Sequence, residues 1–292
     1  MQQVLFDGIP IPRVPPFTKQ LLKWVGNKQR FAHEIVAYFP PRFGTYYEPF
    51  LGSGAVLGTL APPRAVGSDC FQPLMQIWTT LHNDPEQLKR WYAERHALAM
   101  EMGKELAFEQ VRAAYNAAPN GADLLYLCRT CYGGVVRFRK ADGYCSTPCG
   151  IHAAIPPEKF AQRVDAWRRR TAGAVFQRAD YGTIMRQAGP GDLVYCDPPY
   201  SHSQAILYGA QSFCLGDLLG EIDRCKSRGA FVALSIDGSK KTGARHCPIS
   251  LPAGLFEREI LVNCGRSMLR RFQRSGESLE DEVVHDRLLL TY

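Results

Sequence analysis

The sequence predicts an α/β protein with a doubly wound, largely parallel sheet and an inserted lobe. Short apolar runs that end in an acid or a turn recur along the chain, and most of them precede a helical pattern. Strands that alternate with helices in this way are typical of parallel sheets covered by helices. Residues 84–171 interrupt the alternation with consecutive helical patterns. We therefore expect a core formed by residues 1–83 and 172–292, with residues 84–171 inserted into it.

The individual elements follow from apolar runs bounded by turn residues and from helical periodicity. Strands are expected at residues 45–50, 64–69, 174–180, 192–197 and 230–237, and a helix at 215–228. In the inserted lobe, helices are expected at residues 85–102, 104–117 and 122–131, followed by a glycine-rich, hairpin-like piece and a helix ending at the letters WRRR. The proline-rich start, with prolines at positions 10, 12, 15 and 16, is typical of an extended arm.

Length and composition indicate a globular protein with a full core. The chain has 292 residues, of which 46% are hydrophobic, and that is enough for one large domain with an added lobe. No apolar run approaches the roughly 18 residues of a membrane span, and the N-terminal residues lack the apolar segment of a signal peptide. We expect a cytoplasmic protein that makes no membrane contact, in which the ten cysteines are reduced.

Positive charge is concentrated in one stretch of the inserted lobe. The net charge is +7, and residues 129–170 contain nine basic residues but three acidic ones. A second basic cluster near the C-terminus consists of Arg266, Arg270, Arg271 and Arg274. Such a charge run is consistent with a solvated helix face. It is equally consistent with a surface that binds the phosphates of a nucleic acid.

The stretch VYCDPPYS (194–201) predicts a rigid turn at the end of a buried strand. Two consecutive prolines stop strand pairing and restrict the residue before them to an extended conformation. Asp197 and Tyr200 are therefore expected on a stiff turn at the carboxyl end of a strand. Open α/β sheets bind their ligands at this edge.

A second motif, YYEPFLGSGAV (46–56), predicts a ligand-binding loop between a strand and a helix. Gly52 and Gly54 would let the backbone approach a ligand closely. Asp69 ends the next predicted strand, where it could accept hydrogen bonds from ribose hydroxyls. An ordinary tight turn is the alternative. A dinucleotide fingerprint is disfavoured because Leu57 stands where a third glycine or alanine is needed.

The motifs together resemble a known enzyme family. The stretches LLKWVGNK, YYEPFLGSGAV, SDC, FQRADYG and VYCDPPYS occur in an order similar to that of the Dam-like, D12-class DNA N6-adenine methyltransferases. The resemblance implies a Rossmann-like methyltransferase core that uses S-adenosylmethionine, with residues 84–171 as a target-recognition domain. It implies site-specific methylation of the N6 amine of an adenine flipped out of double-stranded DNA. It also suggests a monomer on DNA with a cognate restriction endonuclease as a possible partner.

Two other interpretations stay open at this point. The same pocket chemistry would serve an amino-methyltransferase acting on cytosine N4 or on RNA. A catalytically inactive DNA-binding relative is the second alternative, although the intact stretch from Asp197 to Tyr200 argues against it. A nicotinamide-dependent oxidoreductase would leave that stretch and the basic lobe unexplained.

The resemblance implies a role for each residue of the Asp-Pro-Pro-Tyr turn. The lone pair of the adenine amine is delocalised into the ring, so the amine is a poor nucleophile. Asp197 and the carbonyl of Pro198 would accept its two N–H bonds and free the lone pair. Pro199 would stiffen the turn, and Tyr200 would stack on the flipped base.

The residues that the resemblance implies for the cofactor come from four stretches. Lys28 would pair with the methionine carboxylate, Asp69 with the ribose, and Asp180 with the adenine. Trp24 could instead be a simple core residue, and Asp180 a helix N-cap. The implied cofactor-binding set is Trp24, Lys28, Glu48, Pro49, Phe50, Gly52, Gly54, Asp69, Asp180 and Tyr181.

The stretch CRTCYGGVVRFRK (128–140) is similar to the family's recognition region. Arg137 would contact a guanine edge, and Tyr132 would stack or wedge between bases. Gly133 and Cys128 stand where the family commonly has asparagine, and Ile236 differs in the same way near the base pocket. The implied DNA-binding set is Arg129, Tyr132, Arg137, Arg139 and Lys140.

Cysteines in the lobe raise a separate question about zinc. Cys128, Cys131, Cys145 and Cys149 have a spacing close to that of a zinc ribbon, with His152 as a further possible ligand. The family resemblance requires no metal at these positions. We therefore expect no metal site, with zinc at these cysteines as the alternative.

Overall fold

The computed structural model describes residues 14–139, 141–199, 213–240, 245–246, 251–266 and 283–292. For residues 237–240, 245–246, 263–266 and 283–285 it describes the backbone but not the surroundings of the side chains. Within the described ranges, no helix is both long enough and apolar enough to cross a membrane.

A mixed sheet forms the centre of the molecule. Its strands are β1 (Tyr46–Glu48), β2 (Ala65–Asp69), β3 (Ala174–Arg178), β4 (Leu193–Cys196), β5 (Phe231–Lys240), β6 (Arg245–His246), β7 (Arg258–Arg266) and β8 (Val283–Leu290). The order across the sheet is β3-β2-β1-β4-β5-β8-β7, and β6 pairs with β5. Strands β3, β2, β1, β4 and β5 are parallel, whereas β8 is antiparallel to both β5 and β7. The predicted doubly wound α/β fold is confirmed.

Helices cover the sheet and form most of the insertion. They are α1 (Ala32–Val36), α2 (Ala55–Leu60), α3 (Gln72–Asn83), α4 (Pro85–Met102), α5 (Lys104–Ala117), α6 (Gly121–Thr130), α7 (Pro157–Arg170), α8 (Tyr181–Met185) and α9 (Leu215–Ser227). The bounds of α4 and α5 agree with the sequence prediction because clear local signals mark them. Asp84 caps α4 by accepting a hydrogen bond from the amide of Gln87 at 2.9 Å. Gly103, with φ of +89°, separates α4 from α5.

The hairpin-like piece of the insertion joins α6 to α7. After a 3-10 turn at Tyr132–Gly134, two antiparallel bridges close the piece, one between Cys131 and Cys149 and one between Phe138 and Cys145. The insertion thus contains both the helices and the hairpin that the sequence predicts between β2 and β3.

The winding of the sheet changes direction beside β1. This strand pairs with β2 on one side and with β4 on the other, and both pairings are parallel. Ligands of open α/β sheets bind in the crevice at the carboxyl ends of the strands where the order reverses. Glu48 ends β1, and Asp197 follows β4 directly. The fold therefore brings the two chemical motifs of the sequence to one crevice.

Helix α7 of the insertion packs closely against α2 of the core. A Cβ atom placed on Gly58 would lie 2.5 Å from the indole of Trp167, which is fully buried. The same indole lies 5.3 Å from the ring of Trp78, measured between centroids. Because real Cβ atoms do not approach other atoms this closely, the contact requires glycine at position 58.

We expect Gly58→Ala to lower the free energy of unfolding by about 1–3 kcal/mol, because the added methyl group must displace the buried indole of Trp167. Gly220→Ala is the matched control. Gly220 lies in helix α9, and its built Cβ has no atom within 4 Å. Alanine there should raise stability by up to about 1 kcal/mol, through helix propensity. Urea unfolding measures the free energy of unfolding of both variants. If Gly58→Ala stabilised the protein as much as Gly220→Ala does, the packing constraint at position 58 would be refuted.

Candidate active site

A pocket opens at the carboxyl ends of β1, β2 and β4. Its volume is about 210 Å³, several times the ~30 Å³ that one water molecule occupies in the liquid. The lining comes from stretches far apart in sequence, and every predicted cofactor residue except Gly54 contributes to it. Residues that line it include Trp24, Lys28, Glu48, Pro49, Phe50, Gly52, Asp69, Phe71, Asp180, Tyr181, Tyr195, Asp197, Pro199 and Phe213.

Aromatic side chains form part of the pocket wall. The rings of Phe50 and Tyr181 stack, with centroids 5.2 Å apart. Phe213 meets Phe50 edge-on at 5.9 Å, and Trp24 lies 6.2 Å from Phe71. Aromatic faces bind flat rings and attract cations. The wall therefore suits a flat ring or a positively charged group.

The glycine loop after β1 is fixed by the carboxylate that ends β2. Gly52 N–H donates to Oδ2 of Asp69 at 3.2 Å, and Phe71 N–H donates to its Oδ1 at 3.0 Å. Gly52 has φ of +48°, and a Cβ there would touch the indole of Trp24 at 3.4 Å. Cys70 also hydrogen-bonds to this carboxylate through its side chain and its backbone, so Asp69 is held by several neighbouring groups. Burial raises its pKa.

Asp180 forms the N-cap of helix α8 at the edge of the pocket. Its carboxylate accepts hydrogen bonds from the backbone N–H of Thr183 at 3.0 Å and from its hydroxyl at 2.5 Å. These hydrogen bonds lower the pKa of Asp180, so the carboxylate is ionised at neutral pH. The helix-cap interpretation is therefore correct, and the side chain lines the pocket as well.

Lys28 forms two buried ion pairs at the base of the pocket. Its Nζ lies 3.0 Å from Oδ1 of Asp197 and 2.9 Å from Oδ2 of Asp286. Asp197 follows β4, and Asp286 lies on the antiparallel strand β8. The sequence predicted that Lys28 pairs with the carboxylate of a bound methionine group. Two protein carboxylates already pair with the ammonium group, and its pairing with a ligand stays a prediction.

Glu48 is buried beneath the pocket floor. Its Oε2 accepts hydrogen bonds from the hydroxyl of Tyr46 at 2.7 Å and from the backbone N–H of Leu57 at 2.9 Å. Burial, together with the nearby charge of Asp197, raises the pKa of Glu48 from the ordinary 4.5 to about 8, against the opposing effect of the two hydrogen bonds. Glu48 therefore ties β1 to α2 as a largely protonated acid at neutral pH.

We expect the stability of the protein to fall as the pH rises from about 5 to about 8, because folded Glu48 holds its proton more tightly than the unfolded chain does. Glu48→Gln should remove this contribution, which is at most about 1.4 kcal/mol per pH unit. Urea unfolding across this pH range, compared with wild type, measures it. Glu34→Gln, at an exposed position on α1, is the control. An identical pH slope in the Glu48 variant would contradict the protonated state.

Comparison with known proteins agrees with this geometry. Residues 24–214 match the sequence profile described as D12 class N6 adenine-specific DNA methyltransferase. The chain belongs to this family. It is a DNA methyltransferase that acts on the N6 position of adenine. The pocket described above lies almost wholly within the matched residues.

Several relatives match over most of their length. A type II methyltransferase of Lactococcus lactis subsp. cremoris, M1.LlaDCHI, is 26% identical over 245 residues, which are 77% of this chain and 81% of that protein. A DNA adenine methylase of Vibrio cholerae is 24% identical over 233 residues, covering 74% and 80% of the two chains. The retron Ec67 DNA adenine methylase of Escherichia coli is 29% identical over 190 residues, covering 62% and 63%. The solved structure of an rRNA methyltransferase of Streptomyces viridochromogenes aligns over 96% of this chain and 86% of that one, at 14% identity. Its TM-score is 0.36, and no conclusion is drawn from it.

In this methyltransferase, Arg129 is not on the surface. It is 6% exposed, and its guanidinium donates to the carbonyl oxygens of Gln20 at 3.2 Å and of Leu21 at 2.8 Å. Its guanidinium carbon also lies 5.4 Å from the ring centroid of Phe160. The prediction that Arg129 binds DNA is therefore wrong, because its hydrogen-bond donors serve buried carbonyl groups of the chain.

Side chains of α7 bind the same stretch and the neighbouring core. Arg163 donates to the carbonyl of Gln20 at 2.9 Å, and the indole N–H of Trp167 donates to the carbonyl of Lys19 at 2.6 Å. Arg170 donates to the carbonyls of Gly58 and Thr59. We refer to Arg129, Arg163, Trp167 and Arg170 as the anchor residues. Several arginines of the basic stretch 129–170 therefore bind backbone carbonyls within the protein.

The hairpin places the remaining basic residues differently. Arg139 is exposed, lies over the ring of Tyr144 at 4.1 Å, and forms an ion pair with Asp142 at 3.0 Å. Tyr132 and Arg137 are partly buried. Lys140, Tyr200, Arg270, Arg271 and Arg274 lie outside the described residues, as does the side chain of Arg266.

The cysteines of the lobe are thiols with raised pKa values. Burial raises the pKa of Cys128 to about 12, and it raises the pKa values of Cys131, Cys145 and Cys149 as well. Cys131 and Cys149 face each other across the hairpin. Among the described residues, no group of three or more histidine, cysteine or acidic side chains is arranged to hold a metal ion.

Sequence reasoning missed several residues of the site, among them Phe71, Phe213 and Asp286. Phe71 and Phe213 line the pocket wall, and isolated aromatic residues give no motif. Asp286 had a usable signal. It is an acid within the strand sequence VVHDRLLL, where a buried position requires a charged partner.

Proposed function

We propose that the pocket binds S-adenosylmethionine and that the turn from Asp197 to Tyr200 presents an adenine N6 amine to it. The observation that supports this most strongly is the position of Asp197. A rigid Asp-Pro-Pro turn follows β4 at the crevice where the strand order changes direction. The turn lies beside a pocket lined by aromatic and acidic side chains. In a member of the D12 class, such a turn suits the transfer of a methyl group to an amine.

The pocket residues fit the parts of this cofactor. When bound, S-adenosylmethionine supplies a methyl group activated by a sulfonium. Asp69 would accept from the ribose hydroxyls, because it ends β2 and lines the pocket. Asp180 and the stacked pair Phe50 and Tyr181 would hold the adenine ring and its amine. Trp24, Pro49 and Gly52 would border the methionine end, where an aromatic face suits the sulfonium. Gly54 would support this loop from below, because it packs against the indoles of Trp78 and Trp167.

At the other side of the pocket, Asp197 would make the amine reactive. Its carboxylate and the carbonyl of Pro198 would each accept one N–H, which draws the nitrogen toward tetrahedral geometry. Held in this way, the lone pair would face the methyl group that the cofactor supplies, and one amine proton would leave for solvent as the amine is methylated. Pro199 would keep the acceptors rigid, and Tyr200 would stack on the base.

The insertion would recognise the DNA. We assign residues 84–171 as the target-recognition domain, with the core formed by residues 1–83 and 172–292. Tyr132, Arg137, Arg139 and Lys140 are the proposed DNA contacts, and the substrate would be double-stranded DNA with the target base flipped out. Because relatives include type II methyltransferases, a cognate restriction endonuclease is a reasonable partner. We propose that a monomer acts on DNA.

We expect Asp197→Ala to lower the rate of methyl transfer by at least tenfold, corresponding to about 1.4 kcal/mol of transition-state stabilisation. Cofactor affinity should be retained, and the fold should survive because Lys28 keeps its contact with Asp286. The rate is measured by incubating the enzyme with DNA and labelled S-adenosylmethionine, and digestion of the DNA to nucleosides identifies the methylated base. Calorimetry measures the affinity for the cofactor. Transfer within tenfold of wild type would contradict the role of Asp197. If the label is found in N4-methylcytosine, adenine is not the base that the enzyme methylates.

We expect Arg137→Ala to cost about 1–3 kcal/mol on the preferred DNA sequence and to relax discrimination at one base pair. A phosphate contact would behave differently, because its loss weakens all sequences and lowers the salt slope by about one unit. Methylation of a random-sequence DNA library distinguishes the two. Arg90→Ala, at an exposed position on α4, is the matched control. If the preferred sequence is unchanged at every position, Arg137 does not read a base.

A further inference from the structure

The structure contains a buried group of three charged side chains, Asp197, Lys28 and Asp286, which we call the Asp-Lys-Asp group. The side chains are 19%, 6% and 9% exposed, respectively. Asp286 lies on β8, where its Cα is paired with those of Asp237 on β5 and Val262 on β7. It lies outside residues 24–214, so the family profile does not include it.

Such a group is costly unless each charge has a partner. Removing an ion from water costs several kcal/mol even after relaxation, and a buried lysine needs close acceptors to remain charged. In the part of the chain that the structure describes, two carboxylates lie close to Lys28 Nζ, at 3.0 Å and 2.9 Å. One carboxylate would suffice to neutralise it. The second gives the group a net charge of −1, and this surplus negative charge lies next to the pocket.

The sign of this surplus charge suits the reaction. As the new N–C bond forms, positive charge develops on the amine nitrogen. A negative acceptor in a poorly solvated site stabilises that charge more than it would in water. If Lys28 were held by Asp197 alone, its ammonium would cancel the carboxylate at 3.0 Å. With Asp286 on its other side, Lys28 can fix the orientation of Asp197 without removing its negative charge.

We propose that Asp286 is a positioning residue for methyl transfer, which binds Lys28 and so keeps Asp197 both fixed in place and negatively charged. The inference rests on the proposed role of Asp197 as the acceptor of the amine N–H bonds. It assigns to the C-terminal strand β8 a direct part in the active site. A purely structural role for Asp286 would instead affect stability and leave the transfer rate of the folded enzyme unchanged.

The first test is Asp286→Asn, which keeps the shape of the side chain and removes its charge. In single-turnover reactions saturated with cofactor and DNA, we expect the transfer rate to fall by about tenfold or more. Affinity for S-adenosylmethionine, measured by calorimetry, should change by less than about threefold. Asp192→Asn is the matched control. Asp192 sits at the opposite end of β4, where it accepts hydrogen bonds from Thr45 N–H at 2.7 Å and Gly189 N–H at 2.9 Å. That variant should retain the wild-type transfer rate.

A second variant separates charge from shape. Lys28→Gln combined with Asp286→Asn removes both added charges and returns the net charge of the group to −1, while glutamine can still donate to Asp197. We expect this double variant to transfer methyl groups at least about threefold faster than Asp286→Asn. It also tests the proposal if Asp286→Asn fails to fold, because it replaces the buried lysine together with the acid that pairs with it. In that case it should transfer within about tenfold of wild type.

The outcomes separate this inference from the proposed function. Full activity in both Asp197→Ala and Asp286→Asn would overturn the catalytic role of Asp197 and the inference with it. Loss of activity in Asp197→Ala with full activity in Asp286→Asn would overturn the inference alone. A slow Asp286→Asn enzyme that the Lys28→Gln change does not accelerate would also overturn it, because charge would then not be the cause.

Discussion

The ion pairs of Lys28 are the constraint on which the rest of the active site depends. One ammonium group joins the stretch before α1, the turn after β4 and the antiparallel strand β8. These segments are far apart in the chain, and Lys28 and Asp286 are separated by 258 positions. Because a buried ammonium must keep its partners, it restricts how each segment can move relative to the others. The position of Asp197 is therefore set by the whole sheet as well as by its two prolines.

The pocket balances charge by protonation as well as by pairing. Glu48 and Asp197 end adjacent strands, and two ionised carboxylates so close together would repel each other. Burial leaves Glu48 largely protonated at neutral pH, so it holds Tyr46 and the amide of Leu57 without adding charge. Asp180 is the opposite case, since hydrogen bonds from Thr183 keep it ionised at the pocket edge. Acids around one pocket thus have different charges because their surroundings differ.

Much of this arrangement could be predicted from sequence because it depends on local signals. The caps around α4 and α5 and the apolar runs of the strands gave the fold class, and the order of the motifs indicated the crevice. Long-range pairing was harder to predict. Arg129 looked like a DNA contact because no sequence pattern reveals the buried carbonyls of Gln20 and Leu21. The sequence does show an acid at position 286 within a strand, but it does not show the partner, because Lys28 lies at the other end of the chain.

The anchor residues affect how this protein could be recombined with its relatives. Exchange of recognition segments is an obvious way to change the specificity of such an enzyme, and the helical insertion looks like a natural unit to exchange. Yet Arg129, Arg163 and Trp167 hold carbonyls of residues 19–21, immediately before the Trp24 loop that lines the pocket. A chimaera that replaces the whole insertion would leave that loop without its supports. On the proposed recognition role of the insertion, the unit to exchange is the hairpin between α6 and α7. Both helices of this protein would be kept.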